Sequence, residues 1–256
     1  MDIRDRNIII TGASSGIGLQ LLNSLSLYSG VRIIAAARHI QNIPVKEGVI
    51  IPFAADLTQK EDVDRLFGFS DTVFNTIDIF IACAGFAYTE RLNNADWQHI
   101  EQIYALNVIS PVYSLQKQVE YNGNKGKSFF VCISSAVATV PLPYYSLYCS
   151  TKAAIRQFMK TYRFEKQADT HIMTVYPIAT RTVFFAKAGN NKALPLPFPT
   201  QSPMTVAKSI VKGIEKDRIS VSPSFLFRIF EYCGHIFPFI FTIYSLNEKR
   251  KIKKHL

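Results

Sequence analysis

Short apolar runs rich in β-branched residues alternate along the chain with stretches of helical periodicity, and this alternation constrains the fold more than any other feature. In order they read "NIIITG", "IGLQLLNSLSLY", "VRIIAAAR", "VIIPFAADL", "TQKEDVDRLFGF" and "TIDIFIACAG". Such an order predicts βαβ units and a parallel sheet covered on both faces, because a parallel strand needs a crossover helix to reach its neighbour. Further along come a long helix over "ADWQHIEQIYALNVISPVYSLQKQV", a strand at "KSFFVCIS", a helix beginning near Tyr148 and a strand at "HIMTVYP". A helix over "SPMTVAKSIVKGIEK" has Ser202 as N-cap and Pro203 at its first position, and "DRISVS" supplies a last strand. Thr58 and Glu61 have the spacing of a capping box for an earlier helix. The count fits a doubly wound α/β fold with seven parallel strands, and 256 residues suit one large domain.

"TGASSGIG", Thr11 to Gly18, lies between the first strand and the first helix, where backbone N–H groups at a helix N-terminus attract phosphate. Gly12 allows a tight turn, Gly16 lets backbone approach a diphosphate, and Gly18 lets helix and strand pack closely. At the end of the second strand, "AAARH" puts Arg38 where a carboxylate would otherwise meet the adenosine ribose. A guanidinium there favours the 2′-phosphate of NADP, which a carboxylate would repel, and NAD is the alternative cofactor. Asp56, in "AADLT", stands at the end of the third strand, within reach of an adenine amino group.

In "PYYSLYCSTKAA", only Tyr148 of the three tyrosines has a lysine, Lys152, four residues later. On a helix the phenol and the ammonium then project from one face, and a nearby positive charge favours the phenolate. Tyr144 and Tyr145 gain no cation at that offset, which leaves them ordinary core, surface or pocket-lining roles.

Taken together, these residues resemble the short-chain dehydrogenase/reductase family, in its compact single-domain form with a Rossmann-like sheet. The resemblance covers roughly residues 5 to 223 and runs through "TGASSGIG", Asp56, "ACAG" at 82 to 85, Asn107 in "ALNV", the serines of "ISS", and Tyr148 to Lys152. The spacing that the family keeps before its tyrosine selects Ser135 over Ser134. The resemblance implies Tyr148 as general acid/base, Lys152 as the cation that favours its phenolate and holds the nicotinamide ribose, Ser135 as hydrogen-bond partner of the substrate oxygen, and Asn107 as support for a proton-relay water. It implies a cofactor site of Gly12, Ser14, Ser15, Gly16, Ile17, Gly18, Arg38, Asp56, Leu57, Ala84, Gly85, Asn107, Tyr148, Lys152, Pro177 and Thr182, with no metal. The implied activity is hydride transfer between NADP(H) and a carbonyl or secondary alcohol, in a homodimer or homotetramer pairing through helices near 98 to 118 and 150 to 165.

Two departures from the family pattern stand out. Ala82 and Cys83 stand where asparagines usually open the turn, which leaves Gly85 to permit it; Ile178 follows Pro177 where a glycine is usual, and a β-branched residue resists positive φ. Residues 183 to 202 read as a substrate-covering loop with Val183, Phe184, Phe185, Leu194 and Leu196 as an apolar lid, favouring an apolar ketone or alcohol.

Residues 1–223 thus read as one NAD(P)-binding domain and 224–256 as an extension that the fold does not require. In the extension, Arg228, Glu231 and His235 form a polar stripe on an otherwise apolar helix, and five Lys/Arg follow from Lys249 to Lys254. Its uncharged run is far shorter than the about 20 residues of a spanning helix. Three readings of it stay open: a helix in the membrane interface with its basic tail on anionic lipid, a helix packed over the cleft or a partner subunit, and a plain core extension. "KKHL" also resembles a dilysine retrieval signal.

The net charge of +10 suits anionic lipid or an anionic cofactor equally, and no nucleic-acid-binding module is present. Cys83, Cys132, Cys149 and Cys233 form no paired framework, which suggests reduced thiols in the cytoplasm, and the charged N-terminus leads into a strand instead of a signal peptide. Two rival functions fit less well. A silent dinucleotide-binding regulator has no need of Ser135 or Asn107, and a nucleotide-sugar epimerase needs a larger C-terminal domain.

Overall fold

Ile8, Ile9 and Ile10 are all fully buried, although successive side chains on a strand point to opposite faces, so the sheet they belong to is covered on both sides. In a computed structural model of the chain, which describes residues 1–93, 96–123, 125–166, 169–189 and 194–254, that strand is β1 (Asn7–Thr11). It is followed by α1 (Gly16–Leu25), β2 (Arg32–Ala37), β3 (Ile50–Ala54), α2 (Lys60–Val73) and β4 (Ile79–Ala82). Then come α3 (Trp97–Tyr104), α4 (Ser110–Asn122), β5 (Ser128–Ile133), α5 (Ser146–Glu165) and β6 (Thr170–Val175). The chain continues with β7 (Ala179–Thr180), α6 (Phe184–Ala188), β8 (Thr200–Gln201), α7 (Pro203–Glu215), β9 (Ser220–Val221), α8 (Phe225–Ile236) and α9 (Phe239–Lys253).

Seven strands form one parallel sheet in the order β3-β2-β1-β4-β5-β6-β9, with Ile8 level with Ile33 on one side and Ile79 on the other. Alternate side chains divide the core. Ile8, Ile10, Ile33 and Ile81 pack with Leu21, Leu22, Ile210 and Ile214 of α1 and α7, while Ile9, Ile34, Phe80 and Phe130 pack with Leu66, Leu115, Ile155 and Met159 of α2, α4 and α5. Each of these fully buried side chains stabilises the fold by about 1.5–3 kcal/mol relative to exposure. The strand order reverses between β1 and β4, and at their carboxyl ends the sheet opens a crevice.

Three expectations change. The long helix over 97–122 is broken at Ala105–Ile109 by a π-helical turn centred on Asn107. The helix after Asp56 starts at Lys60 with Gln59 as N-cap and no capping side chain, because the Thr58 hydroxyl donates instead to Asp56 Oδ1 at 2.9 Å. The expected loop at 183–202 contains α6 and β8, which pairs with β7; its residues 190–193 lie outside the described residues, as do His255 and Leu256 of the dilysine-like ending. Ser202 caps α7 as expected, its hydroxyl accepting from the Thr205 N–H at 3.0 Å.

Residues 224–254 fold back as two helices bent by 119° at Phe237 and Pro238, and neither helix is long and apolar enough to cross a membrane. They pack onto the segment after β5: Phe227 is buried with Ala136, Val140 and Ile178, the Thr139 hydroxyl donates to Glu231 Oε1 at 2.9 Å, and the Ser245 hydroxyl donates to the Pro141 carbonyl at 2.8 Å. Near the end of α9, Ile252 is buried among Leu142, Tyr145 and Tyr148.

Candidate active site

The crevice is a cavity of about 990 Å³. At one end the turn from β1 to α1 brings Gly12, Ser14, Ser15, Gly16, Ile17 and Gly18 to its wall. Gly12 has φ 68°, and a Cβ there would come within 2.9 Å of the Ala84 backbone, so only glycine lets the two loops meet. Ser15, the N-cap of α1, makes no capping hydrogen bond with its side chain, which leaves first-turn N–H groups for an anion. Arg38 leaves the end of β2 into the same wall, is exposed, and makes no hydrogen bond or ion pair with any described residue. Asp56 and Leu57 face it from the end of β3; Asp56 Oδ1 accepts from the Thr58 N–H and hydroxyl, and Oδ2 takes no hydrogen bond from a described residue.

Thr11 replaces the support that the missing asparagines would give. Its hydroxyl accepts from the N–H groups of Cys83 at 3.0 Å and Ala84 at 3.1 Å, tying the turn after β4 to β1. Gly85 is needed for space and not for positive φ: a Cβ there would lie 3.1 Å from Asn107 Oδ1 and 3.6 Å from Lys152 Nζ. Asn107 does not line the cavity. Its carboxamide accepts from the Phe86 N–H at 3.1 Å and donates to the Phe86 carbonyl at 2.9 Å and Thr151 Oγ1 at 3.1 Å, so the side chain braces the wall from behind.

At the other end the first turns of α5 bring Tyr148 and Lys152 to the cavity together, as their spacing predicts, with Lys152 Nζ 5.7 Å from the Tyr148 ring centroid. The ammonium donates to the Ile133 carbonyl at 2.8 Å, and its burial holds its pKa below the ordinary lysine value. Burial pushes the Tyr148 phenol up, against a smaller downward effect of its hydrogen bond with Ser135. Desolvation by burial is thus the largest influence on this phenol. Ser135, at the end of β5, donates to the Pro177 carbonyl at 3.4 Å, a long bond that leaves its hydroxyl free to turn toward a ligand. Burial lifts the Cys83 thiol in the same wall to about 12, so it stays protonated. Neither Tyr144 nor Tyr145 lines the cavity; Tyr145 is buried against Phe185.

Ile178 avoids the expected strain by adopting ordinary φ, and it is buried against Phe227 of α8. Pro177 and Thr182 line the cavity, and the Thr182 hydroxyl accepts from the Phe184 N–H at 3.2 Å. Of the residues read as an apolar lid, Val183, Phe184 and Phe185 line the cavity and Leu194 and Leu196 do not; Pro197, Phe198 and Pro199 line it as well. The sequence alone did not single out Tyr88, Val140 or Leu142, nor Leu226, Phe227, Phe230 and Tyr244 from the C-terminal helices, as wall residues. The apolar character of "SFLFRIF" was the available signal, without a direction. Burial and the Glu248 carboxylate push the Tyr244 phenol up, so it stays a donor at the apolar end.

The family model of short chain dehydrogenases matches residues 6–193. The chain is 29% identical over 239 residues to 11-beta-hydroxysteroid dehydrogenase 1A of Arabidopsis thaliana, covering 85% of this chain and 68% of that one. It is 28% identical over 251 residues to 3-ketodihydrosphingosine reductase of Dictyostelium discoideum, covering 83% and 73%. A short chain dehydrogenase from Burkholderia cenocepacia J2315, solved in complex with NADP, shares the fold with a TM-score of 0.82 at 17% identity, over 96% of this chain and 99% of that one.

Proposed function

The chain belongs to the short chain dehydrogenase family, and from that premise we propose that it is an NADP(H)-dependent oxidoreductase interconverting a carbonyl and a secondary alcohol on an apolar, lipid-like substrate. The observation that carries this reading is the meeting of Tyr148, Lys152 and Ser135 in one cavity with the glycine loop at its far end.

The residues present fit a nicotinamide dinucleotide. The α1 N-terminus suits its diphosphate, Asp56 Oδ2 its adenine amino group, and Arg38, which pairs with no described residue, a 2′-phosphate, as in the NADP that the Burkholderia protein binds. When bound, the nicotinamide supplies or accepts the hydride. Reduction builds negative charge on the substrate oxygen. The Ser135 hydroxyl donates to that oxygen, and the protonated Tyr148 Oη gives it a proton. Lys152, held by the Ile133 carbonyl, keeps a positive charge beside the ring as the phenolate forms. Asn107 keeps the Gly85–Phe86 wall in place for this geometry. The apolar wall around Val140, Ile178 and Phe230 excludes water and selects a greasy substrate. Two relatives are named for a hydroxysteroid and for 3-ketodihydrosphingosine, which agrees with that selection.

Residues 1–223 act as the nucleotide-binding domain, and of the extension 224–256 the described residues, to 254, close the substrate end. Exposed Ile109 and Phe164, on the expected pairing helices, support a homo-oligomer. Four unpaired thiols suit a reducing cytoplasmic compartment.

Tyr148→Phe tests the reading. It should lower NADPH oxidation with a panel of apolar ketones by about 10²–10⁴-fold while NADPH affinity, read by cofactor fluorescence, stays near wild type. Undiminished turnover would remove Tyr148 from the chemistry, and a wild-type protein that binds NADPH but reduces nothing would favour a silent binder.

A further inference from the structure

The two C-terminal helices each bury one face and leave the other uncovered. On α8 the inward face carries Phe227, Phe230 and Gly234, and the opposite face carries Phe225, Ile229, Tyr232 and Ile236 at i, i+4, i+7 and i+11, all exposed. On α9 Tyr244, Glu248 and Ile252 turn inward, whereas Phe239, Ile243 and Leu246 form the opposite stripe, 60%, 54% and 49% exposed. The next two positions of that same stripe are Arg250 and Lys253, both exposed. An apolar patch of this extent on a water-facing surface signals a partner, and the basic end of the stripe says which kind.

We propose that the α8–α9 hairpin is a bilayer-docking surface, lying in the interfacial layer of an anionic membrane with its apolar stripes in the acyl boundary and Arg250 and Lys253 among the headgroups. Charge selects this occupant over a second copy of the chain. Residues 224 to 254 carry six Lys/Arg and only two carboxylates. Both carboxylates are engaged on the inner side: Glu231 accepts from Thr139, and Glu248 is buried and paired with Lys251 at 2.6 Å. Among the described residues the outer face is cationic wherever it is charged, so a twin surface would set cations near cations, while phospholipid anions answer them. Neither helix is long and apolar enough to cross a membrane alone, and only the pair, bent by 119°, has the length and composition of a span, which fits a hairpin seated in the interfacial layer.

The cavity opens at the same place. Leu226 flanks the α8 stripe, is 69% exposed, and is also a wall of the cavity, with Phe227 and Phe230 behind it. An apolar substrate dissolved in the bilayer therefore has a route to Tyr148 that avoids water. This route rests on the oxidoreductase reading; the docking itself does not, and the measurements below need no turnover.

The full chain should co-sediment with vesicles of phosphatidylcholine and phosphatidylserine, less with phosphatidylcholine alone, and less as salt rises. The triple variant I229E/F239E/I243E should bind the mixed vesicles at least about tenfold more weakly, with its thermal midpoint unchanged because all three side chains are exposed. R250Q/K253Q should lose affinity for the anionic vesicles only. In a Trp97→Phe background, Phe239→Trp should shift its emission to the blue on adding vesicles and be quenched by brominated acyl chains. Equal partitioning of wild type and triple variant, or an unmoved Trp emission, would overturn the proposal. So would a wild-type dimer, seen by sedimentation velocity without lipid, that the triple variant converts to monomer and that vesicles do not disturb.

Discussion

The Tyr148 ring lies within 5.7 Å of an ammonium, yet its titration is ruled by burial, which disfavours the phenolate more than the neighbouring hydroxyl of Ser135 favours it. The sign follows directly: a phenol whose folded value lies above its ordinary value of about 10 stays protonated through the neutral range. In ultraviolet difference titration of the nucleotide-free protein, wild type and Tyr148→Phe should therefore give coincident phenolate absorbance up to about pH 10 and diverge only above it. A phenolate signal from wild type alone near pH 7 would reverse this assignment. Lys152 and Tyr148 were legible in the sequence because a four-residue offset on a helix is a local contact. The brace made by Asn107 was not, since its partners Phe86 and Thr151 come from a loop and a helix remote in sequence.

At the scale of elements, the π-helical turn at Ala105–Ile109 that separates α3 from α4 holds Asn107, and only the fold shows its partners Phe86 and Thr151. The hairpin of α8 and α9 depends on a second close approach. Gly234 faces the Phe241 ring so closely that a Cβ would overlap it, and Phe241 in turn packs against Phe230 at 5.5 Å between centroids. Gly234→Leu should wedge the helices apart. We expect a loss of about 1–3 kcal/mol in thermal or denaturant unfolding and a raised KM for apolar ketones, because Phe230 and Tyr244 form the cavity wall. Unchanged stability and KM would show that the hairpin closes without this contact. Ser202 at the head of α7 behaves as its sequence foretells; the capping box at Thr58 does not, because Asp56 takes the threonine hydroxyl. Capping is local, but which acceptor wins depends on what stands nearby in three dimensions.

For the whole molecule, the sheet divides an aliphatic core between two helical layers and leaves one crevice at the strand ends, into which a dinucleotide fits. A ligand that binds only the folded state stabilises it by about 2.7 kcal/mol at a hundredfold excess over Kd. NADPH at that excess should raise the melting temperature by about 5–10 °C, the scale expected for a chain of this size. NADH at the same concentration should raise it less, and Arg38→Ser should remove most of the difference, with equal shifts for both nucleotides in wild type counting against a 2′-phosphate contact.

The sequence by itself determined the seven strands of the main sheet, their alternation with helices, the phosphate loop and the Tyr148–Lys152 pair, because each is written in periodicity or in spacings of a few residues. Only the tertiary structure decided that Thr11 holds the turn lacking asparagines, that Ile178 becomes a floor for Phe227, and that the last two helices roof the cavity while showing an apolar face outward. Those outcomes join residues far apart in the chain, and an amphipathic pattern fixes which face of a helix is greasy without saying what that face will meet.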